Sequence, residues 1–179
     1  MDIFHLKLRK KQKQFEKLLN PILDKLYKIA FSYMKNPSKS EDILQDSILI
    51  AYEKLDSLKD INKFNSWITS ILINKCKETL RHDNIIHFEE LYYTASNIIE
   101  HQSNQYKNID INIDLINYIN LLDNKYSDVI ILKYFADYTI KDIANTLEIP
   151  EGTVKSRLNS AMKKLKEIMN KEGFIYNEL

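Results

Sequence analysis

Residues 139–166, "TIKDIANTLEIPEGTVKSRLNSAMKKLK", hold two apolar stripes at helical spacing on either side of a four-residue break, "IPEG". Ile140, Ile143, Ala144 and Leu147 recur every three or four positions before the break, with Thr139 placed to cap the helix start. The residue before a proline avoids the helical region, so the first helix must stop by Ile149, and Gly152 and Thr153 are expected to begin the next. Two helices crossing steeply about so short a turn form a helix-turn-helix. In the second helix Val154, Leu158, Ala161, Leu165 and Ile168 face inward, which leaves Lys155, Ser156, Asn159, Ser160 and Lys163 outside. Exposed residues at the start of such a helix reach base edges in the major groove, and its cations neutralise phosphate. A plain packing hairpin does not need this one-sided basic bias, so the pair reads as a DNA-binding element.

Working outward, the whole chain looks helical. Its 179 residues are 44% hydrophobic and 28% charged, with a net charge of +1, enough for one medium or two small domains. Two glycines and three prolines leave little material for sheet turns, so an all-α fold is expected. No apolar run reaches the roughly 20 residues of a membrane span, and the basic start "MDIFHLKLRKKQKQF" precedes no apolar signal segment. A cytoplasmic protein with no membrane insertion is expected. Cys76 is the sole cysteine, and His5, His82, His87 and His101 show no metal-ligand spacing, so neither a metal nor another cofactor is expected. With no Gly-rich phosphate loop and no paired nucleophile and base, an enzyme is not expected.

Charge and periodicity divide the chain into modules. Residues 7–17 and 152–171 are basic, whereas 83–118 are acidic. A helix is expected over about 22–35, ended by "NPSKSE", where Ser38 and Glu41 have the form of a capping box. The next, "SEDILQDSILIAYEKL", puts Leu44, Ile48, Ala51 and Leu55 on a core stripe. Its other stripe holds Asp42, Gln45, Asp46, Leu49 and Glu53, either a solvated face or a dock for a basic partner. After "DSLKDINKF", a third helix over about 64–82 buries Phe64, Ile68, Leu72 and Cys76 and places Asn74, Lys77 and Arg81 opposite. That face is either solvated or able to contact bases and phosphates. Residues 84–111 show no sustained period and read as a linker, of which Phe88, Leu91, Tyr92 and Tyr93 suggest a docked part. Further helices are expected over about 112–122 and 125–136.

Residues 121–166 resemble region 4 of bacterial RNA polymerase sigma factors, and residues 23–81, from "LDKLYKIAF" to "KCKETLR", look like region 2. Joined by a short linker, and without the intermediate domain of larger factors, the two resemble the extracytoplasmic-function (ECF) group. The resemblance implies domains at 1–83 (region 2), 84–111 (linker) and 112–179 (region 4), and an alternative sigma factor that brings core RNA polymerase to promoter DNA. By the same resemblance Asp42, Gln45, Asp46 and Leu49 contact the polymerase clamp helices. Leu58, Trp67, Asn74, Lys77 and Arg81 serve the minus-ten element, with Asn74 at an extruded base whose pocket is the 57–63 loop. Leu58 stands where some members carry an aromatic residue. Lys155, Ser156, Asn159 and Ser160 match positions that read the minus-thirty-five element, and Thr153, Arg157 and Lys163 match backbone contacts. The acidic connector fits either a nucleic-acid mimic threading toward the polymerase active site or a solvated tether. The resemblance also admits an anti-sigma partner. The residues taken alone leave open a stand-alone helix-turn-helix regulator with a helical effector domain.

Overall fold

A computed structural model describes residues 3–90 and 113–171 of the chain, which divides into two compact units at residues 1–107 and 108–179. All regular structure among the described residues is helical, as expected.

The first unit holds α1 (Ile3–Leu19), α2 (Leu23–Met34), α3 (Pro37–Lys54) and α4 (Phe64–Glu90), with short 3-10 turns at Asn20–Ile22, Leu55–Ser57 and Ile61–Lys63. Its core interleaves Leu26, Ile29 and Ala30 of α2, Ile43, Leu44 and Ala51 of α3, and Phe64, Ile68, Leu72 and Cys76 of α4, all buried. Ala30 and Ala51 have no exposed surface, since a methyl group is all the space between neighbouring helices admits. Ser47 is also buried, and its hydroxyl donates to the Ile43 carbonyl at 2.7 Å, so no polar atom is stranded.

The join between α2 and α3 differs from the sequence reading. Lys35 takes the left-handed conformation (φ 53°) and donates its N–H to the Phe31 carbonyl at 2.9 Å, closing α2. The cap of α3 is Asn36, whose side chain accepts from the Lys39 N–H at 3.0 Å, and not Ser38 paired with Glu41. Pro37 explains the shift. Its fixed φ and missing N–H suit the first helical position, which moves the cap one residue upstream of it and leaves Ser38 inside the helix.

Two helical stretches exceed the reading. The basic α1 was not foreseen, because its buried stripe is thin: Phe15 and Leu19 are its buried apolar residues among those described, and cations are spread through the rest. α4 continues to Glu90, well past the expected end near 82. The docked aromatic segment proposed for the connector falls on Leu91, Tyr92, Tyr93 and the Phe88 side chain, which lie outside the described residues.

The second unit holds α5 (Ile113–Ile119), α6 (Asn124–Ile130), α7 (Ile140–Leu147) and α8 (Glu151–Lys171). The single helix expected over 125–136 is instead α6 widened into a π-helical turn at Ile131–Phe135. Thr139 caps α7 as expected, in a capping box with Asp142: the threonine hydroxyl accepts from the Asp142 N–H at 3.2 Å and the Asp142 carboxylate from the Thr139 N–H at 3.1 Å. Ile143 of α7 and Val154 and Ala161 of α8 are completely buried and fix the crossing of the pair.

Candidate nucleic-acid interface

The break in "IPEG" falls where the spacing indicated, with α7 ended before Ile149 and Gly152 at the start of the next helix. α7 ends because Glu148, not a glycine, adopts the left-handed conformation (φ 53°, ψ 44°) and donates its N–H to the Ala144 carbonyl. The Pro150 carbonyl accepts the N–H groups of Thr153 (2.9 Å) and Val154 (3.1 Å), which starts α8 at Glu151. Gly152 is therefore inside the first turn of a helix, and a Cβ placed there would meet nothing within 4 Å. The fold itself makes no demand for glycine at this position.

On α8, Lys155, Ser156, Asn159 and Lys163 are exposed, and Thr153, Arg157 and Ser160 are half-buried at its edges. The Ser156 hydroxyl donates to the Thr153 carbonyl at 3.0 Å, so a base contact by Ser156 has to exchange that local bond. The exposed residues begin at the positive end of the helix dipole, where amide groups lacking helical partners also point outward. The surface is a one-sided polar and cationic strip of the size that a major groove accepts.

In the first unit, Asn74 and Arg81 of α4 are exposed and Lys77 is half-buried, on the same helical face as Trp67. Trp67 is also half-buried, its ring tilted 49° against Phe64 at 6.0 Å, so one edge packs while the other meets solvent. The Arg81 Nε donates to the Lys77 carbonyl at 3.2 Å, which holds its side chain along the helix. Leu58 is separate from this group. It lies in extended conformation between the two 3-10 turns that precede α4, in a cleft of roughly 580 Å3 between that loop and α1, which none of Trp67, Asn74, Lys77 or Arg81 lines.

The acidic stripe of α3 is exposed as the spacing indicated. Asp42, Gln45 and Asp46 face solvent, and Leu49 is 57% exposed beside them. Lys75 of α4 reaches Asp46 at 3.5 Å, a contact that the sequence did not indicate. Cys76 is buried, and desolvation pushes its thiol from 9.0 up to about 12, which makes it neither a nucleophile nor a ready metal ligand. Among the described residues no group of histidine, cysteine and carboxylate side chains could hold a metal ion, and no helix is long and apolar enough to cross a membrane. The second unit adds a feature missed in the sequence: an apolar groove of roughly 520 Å3 between α5, α6 and α8, where Tyr134 and Met162 are well exposed. Both fall within apolar helical patterns, and period alone does not separate a buried position from an open one.

Comparison with known proteins gives matches to two family models: "Sigma-70 region 2" over residues 18–84 and "Sigma-70, region 4" over residues 113–165. The chain is 29% identical over 168 residues to "RNA polymerase sigma factor SigV" of Bacillus subtilis (strain 168), covering 92% of this chain and 98% of that one. It is 28% identical over 171 residues to "ECF RNA polymerase sigma factor SigW" of the same organism, covering 87% and 89%. Among solved structures, the sigma factor RpoE in complex with the anti-sigma factor NepR from Bartonella quintana superposes with a TM-score of 0.69 at 26% identity, over 88% of this chain and 98% of that one.

Proposed function

The chain belongs to the ECF group of the sigma-70 family, and from that membership we propose how its surfaces divide the work of an alternative sigma factor. As such a factor it binds core RNA polymerase, directs it to specific promoters and starts transcription. The observation that supports this best is the presence of both promoter-reading modules in one chain, in order, with relatives matched over almost their entire length. A stand-alone regulator would leave the first module unexplained.

In the proposed division, residues 1–83 form the polymerase-binding and minus-ten module, 84–111 a linker, and 112–179 the minus-thirty-five module. Asp42, Gln45, Asp46 and Leu49 form the polymerase dock, an apolar centre rimmed by acids that suits a basic partner. Asn74 takes an extruded base of the minus-ten element, with Trp67, Lys77 and Arg81 along the strand and Leu58 in the adjoining loop. Extruding a base costs a few kcal/mol, which contacts made only to the flipped base offset. Lys155, Ser156, Asn159 and Ser160 read base edges, and Thr153, Arg157 and Lys163 hold phosphates. The factor catalyses no reaction of its own and works in the cytoplasm beside polymerase. An anti-sigma factor is a further partner, in line with the solved complex of RpoE with NepR.

Run-off transcription tests the proposal. Core polymerase with a matched promoter should yield transcript only when this protein is added, and the protein alone should bind the promoter weakly. Transcript output independent of the protein, or tight promoter binding without polymerase, would overturn it.

A further inference from the structure

The apolar groove of roughly 520 Å3 between α5, α6 and α8 takes no part in the promoter contacts above except at its rim, where Lys163 stands with Lys166. Its walls include Ile119, Ile130, Tyr134, Met162 and Met169, and Tyr134 and Met162 are 57% and 45% exposed. Apolar surface gathered in one concavity, rather than scattered singly, marks a place that another segment covers. The groove follows α8 as far as Asn170, one position before its last helical residue, Lys171. The residues that come next, "EGFIYNEL" at 172–179, carry the chemistry to cover it. Phe174, Ile175, Tyr176 and Leu179 are large and apolar, Glu172 and Glu178 are acidic, and no cation stands among them. That composition complements an apolar groove rimmed by two lysines.

The order of these residues also sets a direction. With Lys171 last in the helix, Glu172 holds the cap position and Gly173 the one after it, where a left-handed glycine commonly turns the chain back. In that motif the residue after the glycine packs on the residue three before the cap. Here those two are Phe174 and Met169, and Met169 is a wall of the groove. Reach is sufficient, since the helix rises about 10 Å from Met162 to Met169 and an extended chain of the length 174–179 spans about 20 Å.

We propose that residues 172–179 turn back at Gly173 and lie in this groove, with Phe174 against Met169 and Tyr176 toward Met162. The segment is then a built-in competitor for the groove, which an apolar segment of another protein enters only by displacing it. Tethering favours the internal occupant: a short link gives an effective concentration of order mM, so a segment that binds at about 100 μM as a free peptide is docked about ten to one in the chain. The inference is independent of the promoter-reading roles above.

The test follows the methionine methyl groups of the full chain by NMR. The Phe174 ring should show a nuclear Overhauser effect to the Met169 methyl that persists on dilution. Phe174→Ala, and a chain ended after Lys171, should each shift the Met162 and Met169 signals, while Met34 of α2, in the first unit, stays in place. A synthetic peptide of residues 172–179 should restore the original signals in the shortened chain, and should bind the full chain about tenfold more weakly than the shortened one. Met162 and Met169 signals unmoved by shortening, or equal peptide affinity for both chains, would overturn the proposal. So would an Overhauser effect that fades on dilution, which would give the groove to a second copy. Signals that ignore shortening but move when core polymerase is added would give it to that partner instead. None of these results bears on promoter reading, which uses no apolar surface of the groove.

Discussion

Phe15 and Phe64 meet edge to face, ring centroids 5.7 Å apart and planes at 85°, and this contact joins the basic first helix to the first residue of the helix that carries Asn74. The half-buried Tyr52 of α3 meets Phe15 in the same manner at 5.3 Å, so one side chain of α1 touches rings of both α3 and α4. Edge-to-face pairs add about 0.5–1.5 kcal/mol beyond their burial. Phe15→Ala should therefore cost about 3–5 kcal/mol of stability, the range for emptying a buried phenylalanine site. Chemical denaturation of the full chain checks this. A loss under about 1 kcal/mol would mean that α1 is not docked.

Gly152 and Glu148 look interchanged with respect to backbone need. Glu148 holds the left-handed conformation that glycine adopts without strain, while Gly152 sits in a helix with open space around it. Gly152→Ala should stabilise the fold by about 0.5–1 kcal/mol through helix propensity and a less flexible unfolded chain. If the first turn of α8 approaches a phosphate, the added methyl group should at the same time weaken binding to a minus-thirty-five duplex. Glu148→Gly relieves the left-handed strain but loosens the unfolded chain, so its net effect should stay within about 0.5 kcal/mol. Paired melting and DNA-binding curves for both variants decide the matter; destabilisation by Gly152→Ala would show that the open space around it is illusory.

These two positions also show where sequence reasoning reached its limit. The inward stripes of α3, α4, α7 and α8 were legible because burial recurs at the helical period, and Thr139 because its partner sits three residues on. The left-handed residue that closes α7 was not legible, because the helix-ending Glu148 carries no local signal for it. At Asn36 a competing signal won, since Pro37 fixes the first helical residue more firmly than a Ser-Glu pair does. α1 stayed hidden because Phe15 and Leu19 are too few to set a period among cations. The cleft it forms with the loop follows from tertiary packing and leaves no trace in local pattern.

Cys76 gives a prediction with a defined pH window. Its thiol ionises near 9.0 when solvated and near 12 in the fold, because burial disfavours the thiolate. Below pH 9 it is protonated in both states and adds no pH dependence. Between 9 and about 12 the unfolded chain releases this proton while the native chain keeps it, so the contribution to stability falls as pH rises. Comparing wild type with Cys76→Ala isolates the effect from tyrosine and lysine titration: the stability difference between them should narrow from pH 8 to pH 10.5. Iodoacetamide at pH 8 should label Cys76 no faster than the native state opens. Rapid labelling under native conditions would contradict the burial.

The two exposed faces of the first unit make separable demands, and variants on each should fail at different steps. Asp46 lies on the exposed α3 stripe beside Leu49 and pairs with Lys75 at 3.5 Å, whereas Asn74 is exposed on α4. Reversing the charge with Asp46→Lys breaks that contact and repels a basic partner, so affinity for core polymerase should fall about tenfold, which corresponds to about 1.4 kcal/mol. An exposed ion pair adds at most about 1 kcal/mol, so the fold should survive the change. Asn74→Ala removes two donors and an acceptor from an exposed helical site, which costs the fold little and the extruded base its hydrogen bonds. Polymerase affinity should then stay near wild type while open-complex formation, followed by permanganate reactivity of unpaired thymines, drops about ten- to a hundredfold, the scale of one or two lost bonds to a buried base. Parallel loss of both steps in Asn74→Ala would mean that the α4 face acts through folding or docking, and the base-reading role would have to be given up.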